Sequence, residues 1–208
     1  MNQKRVLIFG IFIFAIAFYF AVYFDKQIIL FFSSIRNIYL SDFFLAIKFL
    51  DSWFFVIGLV TILFLFNRKK RKWILPAWVT LGVTSLVILI LKISVQRTRP
   101  FAAGIVPILP GIVPNPLYLV SSFSFPSFDA AFAFCIIPLI SKFYPKLKYF
   151  WIVFAGMVLL SRVYFGVHYL SDVISGAAIG FAIGLVILEL EEKKKFFDKF
   201  YNKIFRKK

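Results

Sequence analysis

The sequence predicts an all-α polytopic membrane protein, a bundle of six transmembrane helices with short interfacial helices. Three observations carry that expectation. Of the 208 residues, 62% are hydrophobic and 21% aromatic, with a mean hydropathy of +0.90, more apolar surface than a water-soluble domain needs. Several runs reach the roughly 20 apolar residues that a helix needs to cross a hydrocarbon core about 30 Å thick. The basic residues gather where those runs end, so the net charge of +16 reads as a membrane topology signal and not as a nucleic-acid surface.

The six spans run approximately over residues 6–24, 44–66, 73–93, 127–144, 149–166 and 169–190. The first follows Lys4 and Arg5 as a signal peptide's apolar run would. It is longer than a typical one and no Ala-x-Ala site follows it, so it is read as a retained helix. Residues 27–43 are expected to form short interfacial helices, with Ser41-Asp42 capping the next helix. Lys48 and Asp51 lie in the first turns of the second span. In the sixth, Gly176, Gly180 and Gly184 recur every four residues, a spacing that lets helices approach closely and is assigned to packing within the bundle. The lone cysteine, Cys135, reads as a small core residue and forms no intramolecular disulfide.

With the amino terminus inside, 18 of the 25 basic residues fall on the inner side: Lys4 and Arg5, Arg68 to Lys72, Lys142, Lys146, Lys148, and the eight from Lys193 onward. The outer side holds seven, Lys26, Arg36, Lys48, Lys92, Arg97, Arg99 and Arg162. The positive-inside rule then puts both termini of a multi-pass protein of the cytoplasmic membrane in the cytoplasm. Residues 1–208 read as one integral membrane domain. Its basic tail, 191–208, has apolar residues at 196, 197, 200, 201, 204 and 205, one helical face with lysines opposite, suited to an anionic inner leaflet.

Ionisable residues embedded in a membrane are costly and point to function by default, although any one of them alone reads as a snorkelling anchor. Arg97 fits either reading. Three clusters fall on the outer side, a coincidence that the charge count did not require. The third span ends Lys92-Ile-Ser-Val-Gln-Arg-Thr-Arg99-Pro100; Pro126-Ser127-Phe128-Asp129 opens the fourth; Ser161-Arg162 ends the fifth, with His168 and Asp172 following. Lys92 and Arg99, two helical turns apart, are expected on one helix face.

The pattern Lys-x6-Arg-Pro, then Pro-Ser-x-x, then Ser-Arg-x5-His-x3-Asp resembles the type-2 phosphatidic acid phosphatase superfamily over residues 92–172. The first and third motifs match at every defining position. The second departs, with Phe128-Asp129 where the family has Gly-His. The resemblance implies the six-helix plan of the membrane branch and hydrolysis of a phosphate ester or anhydride. It further implies a phosphohistidine and no metal or other cofactor. Asp129 takes the place of the family's second histidine, which is thought to protonate the leaving group.

The residues suit phosphoryl transfer on their own terms, since that chemistry is mainly positioning and neutralisation of the phosphate oxygens. Lys92, Arg99 and Arg162 supply three cations, and arginine forks match phosphate bidentately. Ser127 begins a helix, so its N–H and those that follow form an anion site; Ser161 can donate another hydrogen bond. His168 is the only histidine, hence the only nucleophile of its type. Asp172, four residues on, is the natural partner to fix its tautomer.

Three readings of Asp129 stand: a general acid with a raised pKa, an ion-pair partner orienting Arg99 or Arg162, or a position that needs no strong acid because the leaving group is already good. The last favours a pyrophosphate or an anomeric sugar phosphate. Residues 101–126, with five of the nine prolines and almost no charge, read as a loop resting on the outer leaflet and lining a lipid entry. The expected substrate is thus a membrane lipid phosphate, met at the periplasmic or outer face: undecaprenyl diphosphate, lipid A 1-phosphate, or phosphatidylglycerol phosphate or phosphatidate. The alternatives are a lipid-to-lipid phosphotransferase and a non-catalytic lipid-phosphate binder. A transporter is disfavoured because the chain shows no internal repeat.

Overall fold

A computed structural model describes residues 3–107, 123–197 and 199. In chain order its helices are α1 (Gln3–Ser34), α2 (Ile38–Leu50), α3 (Trp53–Leu65), a 3-10 turn (Arg71–Trp73), α4 (Ile74–Val95), α5 (Phe128–Cys135), α6 (Ile137–Phe143), α7 (Pro145–Tyr164) and α8 (Leu170–Lys194). Four segments are long and apolar enough to cross a membrane: Phe12–Ser34, Arg71–Val95, Pro145–Tyr164 and Leu170–Lys194. The α2–α3 pair, bent by 57°, makes a fifth if counted as one span. The fourth predicted span is occupied by α5 and α6, two short helices meeting at Ile136.

Polar and apolar groups are distributed inside out. Asp25, Asp51, Arg99, Arg162, His168 and Asp172 are buried, whereas Phe12, Phe20, Phe54, Leu86, Phe150 and Val186 face outward. In lipid this is the favourable arrangement, since charged groups face the bundle interior and pair with one another. The main apolar core joins Val60 and Phe64 of α3, Ala77 of α4, Phe132 and Ile136 around α5, and Trp151, Ala155 and Val158 of α7. Trp151 donates its indole N–H to the Ala133 carbonyl at 2.9 Å inside the bundle, and the exposed Trp78 donates to Thr61 at 2.9 Å, so both polar aromatic tips are satisfied.

The glycine repeat packs α8 directly on α5. A Cβ at Gly176, Gly180 or Gly184 would collide with the carbonyls of Ser127, Ala131 and Cys135 respectively, successive turns of the facing helix. This is the packing within the bundle that the spacing led us to expect.

Three local expectations are corrected. Helix α1 continues to Ser34, so residues 27–34 are not interfacial helix; Asp25, the charge that would have ended it, is buried against partners. The cap of α2 is Asn37, whose Oδ1 accepts the Leu40 N–H at 3.0 Å, and not Ser41-Asp42; the Ser41 hydroxyl instead bonds the Tyr164 hydroxyl at 2.9 Å. Asp51 does not lie in the first turns of a span but closes α2 as its C-cap, at the bend into α3.

The two ends of the bundle differ. At one, Lys70 donates to the Phe143 carbonyl at 2.5 Å, and Lys142 pairs with Glu192. At the other lie all the clustered residues of the three motifs. Beyond Lys194, Lys195 adopts a left-handed conformation and the Phe197 N–H returns to Glu191 at 2.7 Å; most of the predicted basic tail lies outside the described residues. So does most of the predicted lipid-entry loop, of which 101–107 form turns.

Candidate active site

Helix α4 delivers the first motif. It ends at Val95 because Gln96 takes a left-handed conformation (φ 53°) and its N–H bonds the Lys92 carbonyl at 3.0 Å. Lys92 and Arg99 therefore do not share a helix face, as their spacing suggested; Arg97 and Arg99 leave the helix on a turn. Both motif cations still point into the same region. Lys92 donates to the Phe123 carbonyl at 2.6 Å, and Arg99, buried, donates to the Val167 carbonyl at 2.9 Å and lies 3.2 Å from His168 Nε2.

That last contact defines the histidine. A guanidinium is only a donor, so Nε2 must present its lone pair and the ring proton sits on Nδ1. Nδ1 faces Asp172 Oδ2 at 3.8 Å, beyond hydrogen-bond range. Burial first, then the adjacent Arg99 guanidinium, pushes the His168 imidazole down to about 4, against the opposing pull of Asp172. At neutral pH the ring is uncharged.

Asp172 occupies the third position of α8, where its Oδ2 accepts the Tyr169 N–H at 2.8 Å and the Ser124 hydroxyl. Its Oδ1 accepts from Arg97 at 2.7 Å. The Asp172 carbonyl takes the Ser127 N–H at 3.0 Å, so that amide is committed to α8 and not open to an anion. The Ser127 hydroxyl caps α5 by accepting the Ala130 N–H at 3.4 Å. Ser161, buried, donates to the Val158 carbonyl of its own helix at 2.6 Å.

Arg162 is gripped from both sides. Its NH1 lies 3.2 Å from Asp129 Oδ2 and its NH2 3.3 Å from Asp51 Oδ2. The Asp129 side chain is 34% exposed and the Asp51 side chain 1%, so one carboxylate borders open space and the other is sealed in. Among the described residues, no cluster of three or more His, Cys, Asp or Glu is arranged to hold a metal ion.

All eight residues that the sequence singled out, Lys92, Arg99, Ser127, Asp129, Ser161, Arg162, His168 and Asp172, converge at one end of the bundle. Asp51, Asp25, Arg97, Ser124 and Ser171 join them. For Asp25 and Asp51 the signal was present: each is a carboxylate within a strongly apolar stretch, the situation that marks function by default.

A helical bundle with an apolar exterior and a buried imidazole ringed by cations defines a class, the integral membrane phosphatases. The comparisons with known proteins agree. The model of the PAP2 superfamily matches residues 73–196. Phosphatidylglycerophosphatase B of Bacillus subtilis (strain 168) is 30% identical over 177 residues, 78% of this chain and 81% of that protein. The bacitracin transport permease protein BcrC of Bacillus licheniformis is 29% identical over 147 residues, 69% of this chain and 68% of that protein. Among solved structures, a transmembrane PAP2-type phosphatidylglycerolphosphate phosphatase from Bacillus subtilis superposes with a TM-score of 0.71 at 28% identity, covering 95% of this chain and all of that one. LpxE of Aquifex aeolicus gives 0.62 at 26% identity, covering 79% of this chain and 94% of that one. The chain belongs to the PAP2 superfamily and is an enzyme of its membrane lipid-phosphatase branch.

Proposed function

We propose that the protein removes a phosphate from a membrane lipid through a phosphohistidine on His168, with a lipid diphosphate or another phosphate on a good leaving group as the preferred substrate. The observation that carries the reading is the orientation of the lone histidine: Nε2 presents its lone pair beside Arg99 while Nδ1–H faces Asp172. Lys92, Arg99 and Arg162 neutralise the phosphate oxygens. Nε2 attacks phosphorus as the bond to the lipid oxygen breaks, and Asp172 stabilises the positive ring that results. Water then attacks phosphorus, the P–N bond breaks, and inorganic phosphate leaves with the ring restored. Ser127 supports this cradle by capping the start of α5, and Ser161 by its place beside Arg162 in the last turn of α7.

Asp129 serves in this scheme as the orienting partner of Arg162. Its carboxylate is engaged by a guanidinium at 3.2 Å, which suits an anchor and not a proton donor. With no strong acid at the leaving group, diphosphates hydrolyse faster than simple monoesters. The relatives include a phosphatidylglycerophosphatase, so phosphatidylglycerol phosphate is the monoester to compare. The proposed topology has six crossings, with α2–α3 and α5–α6 each counted as one, both termini in the cytoplasm and His168 at the opposite face.

Phosphate release from undecaprenyl diphosphate, lipid A 1-phosphate and phosphatidylglycerol phosphate by the purified protein tests the reading. We expect the diphosphate to be cleaved fastest and His168→Ala to abolish release from all three. Asp129→Asn should reduce release from diphosphate and monoester by similar factors; selective loss on the monoester would restore the general-acid role. Retained turnover in His168→Ala would end the proposal.

A further inference from the structure

Behind the residues assigned above lies a second charged cluster, Asp25 and Arg97 with Ser171, at positions that define none of the three motifs. Asp25 of α1 is 4% exposed and lies 2.8 Å from Arg97 NH2. It also accepts the Ser171 N–H at 2.9 Å and the Ser171 hydroxyl. Arg97 NH1 then reaches both the Ser171 hydroxyl and Asp172 Oδ1, each at 2.7 Å. The guanidinium packs over the Tyr169 ring, 4.0 Å from its centroid. An aspartate of the first helix is thus linked through one arginine to the carboxylate that faces His168.

We infer that Asp25 and Arg97 are positioning residues that aim the Asp172 carboxylate and set how much negative charge His168 feels. The inference rests on the proposed nucleophilic role of His168.

The geometry gives Arg97 two carboxylates and the imidazole only one of them. Arg97 holds Oδ1 of Asp172 by a charge-assisted bond, so Oδ2 turns toward Ser124, Tyr169 and His168. Asp25, Arg97 and Asp172 together carry one net negative charge, which is left to offset the ring's positive charge when the phosphohistidine forms. The other charged groups around the ring are Arg99 of the turn after α4 and Lys92 of α4, with Asp129 of α5 opposite them. Arg162 of α7 is paired to Asp129 and to Asp51. None of these is altered by substitutions at 25 or 97, so the charge of the cluster can be varied alone.

The two ends of the link carry opposite charge, and that gives the test its sign. Arg97→Gln leaves Asp25 and Asp172 without a cation and makes the ring easier to protonate. Asp25→Asn leaves Arg97 to neutralise Asp172 fully and makes it harder. Because His168 is the only histidine, its titration in the full-length protein in detergent is read by NMR after histidine labelling, without overlap.

The expected midpoint rises on Arg97→Gln, by roughly tenfold or more in proton affinity for one unit charge at this range. It falls or stays below the wild-type value on Asp25→Asn. Turnover at pH 7 should drop about 10- to 100-fold in Arg97→Gln, as when an outer partner of a ligating histidine is lost. The loss should appear in kcat with KM little changed, since the phosphate-binding cations are intact. Most of the Asp25→Asn effect on kcat should vanish in the Arg97→Gln background, because the pair acts as one unit.

If the cluster merely tied α1 to the bundle, both variants would loosen the site and both midpoints would climb toward the ordinary histidine value. That result, or additive losses in the double variant, overturns the inference. Wild-type protein with no His168-dependent phosphate release would sink the proposed function instead, and the titration distinguishes the two failures because it reads the ring without substrate.

Discussion

At His168 the proposed nucleophile is prepared by exclusion of its proton. Burial and the Arg99 guanidinium lower its pKa to about 4, so the ring stays neutral through the weakly acidic range. Protonation of Nε2 would remove the attacking lone pair; activity must therefore fall as pH drops through that value and not through the usual 6.5. The acid limb of kcat/KM, measured from pH 3.5 to 8, should lie close to 4. A limb near 6.5 would mean that burial and Arg99 do not hold the ring's pKa down. Asp51 makes a second prediction at this scale. It is the buried member of the pair that grips Arg162, so Asp51→Ala leaves a guanidinium whose side chain is only 6% exposed with Asp129 alone as its acidic partner. Breaking a buried pair from one side costs about 3–5 kcal/mol. We expect a large drop in thermal stability, with Asp51→Asn milder because it still accepts a hydrogen bond. The His168–Asp172 pair was legible because both residues and their spacing sit within one short segment. Asp51 was not: its partner is 111 residues away, and a charge in an apolar run signals a partner without naming it.

At the scale of elements, the glycine ladder of α8 fixes where the second and third motifs meet. Because Gly176 lies against the Ser127 carbonyl, the start of α5 is pressed onto the first turns of α8, beside Asp172. A methyl group at Gly180 would strike the Ala131 carbonyl, backbone that cannot rotate away. Gly180→Ala should thus push α5 and α8 apart and destabilise by about 1–3 kcal/mol, the usual cost of overpacking, with phosphate release falling too. Gly156→Ala in α7 is the control, since a Cβ there meets nothing within 4 Å, and it should leave stability unchanged or raised. Thermal unfolding in detergent measures both, and equal destabilisation would argue against the close approach. The ladder could be read directly, because small residues every four positions have one geometric meaning. Helix ends were less readable. Gln96 stops α4 in a left-handed turn although no glycine or proline marks the place, and Asn37 outcompetes Ser41 as a cap by lying one turn earlier.

For the whole molecule the proposal to test is that the site faces outward, and the distribution of charge supports it. One end of the bundle carries Arg68 to Lys72, Lys142 and Lys193; the other gathers the motif cations, each paired or pointed inward at a carboxylate or carbonyl. The positive-inside rule puts the end richer in basic residues on the cytoplasmic side, which supports the proposed outward-facing site. The chain is well suited to a direct test, since its single cysteine, Cys135, is wholly buried and should resist labelling. Ala102→Cys, on the exposed turn after Arg99, and Lys69→Cys, in the exposed link between α3 and α4, would each add one accessible thiol at opposite ends. A membrane-impermeant maleimide applied to intact spheroplasts should label Ala102→Cys and spare Lys69→Cys until the membrane is permeabilised. The reverse pattern would turn the site to the cytoplasm, and with it the pool of lipid phosphates on which the enzyme draws.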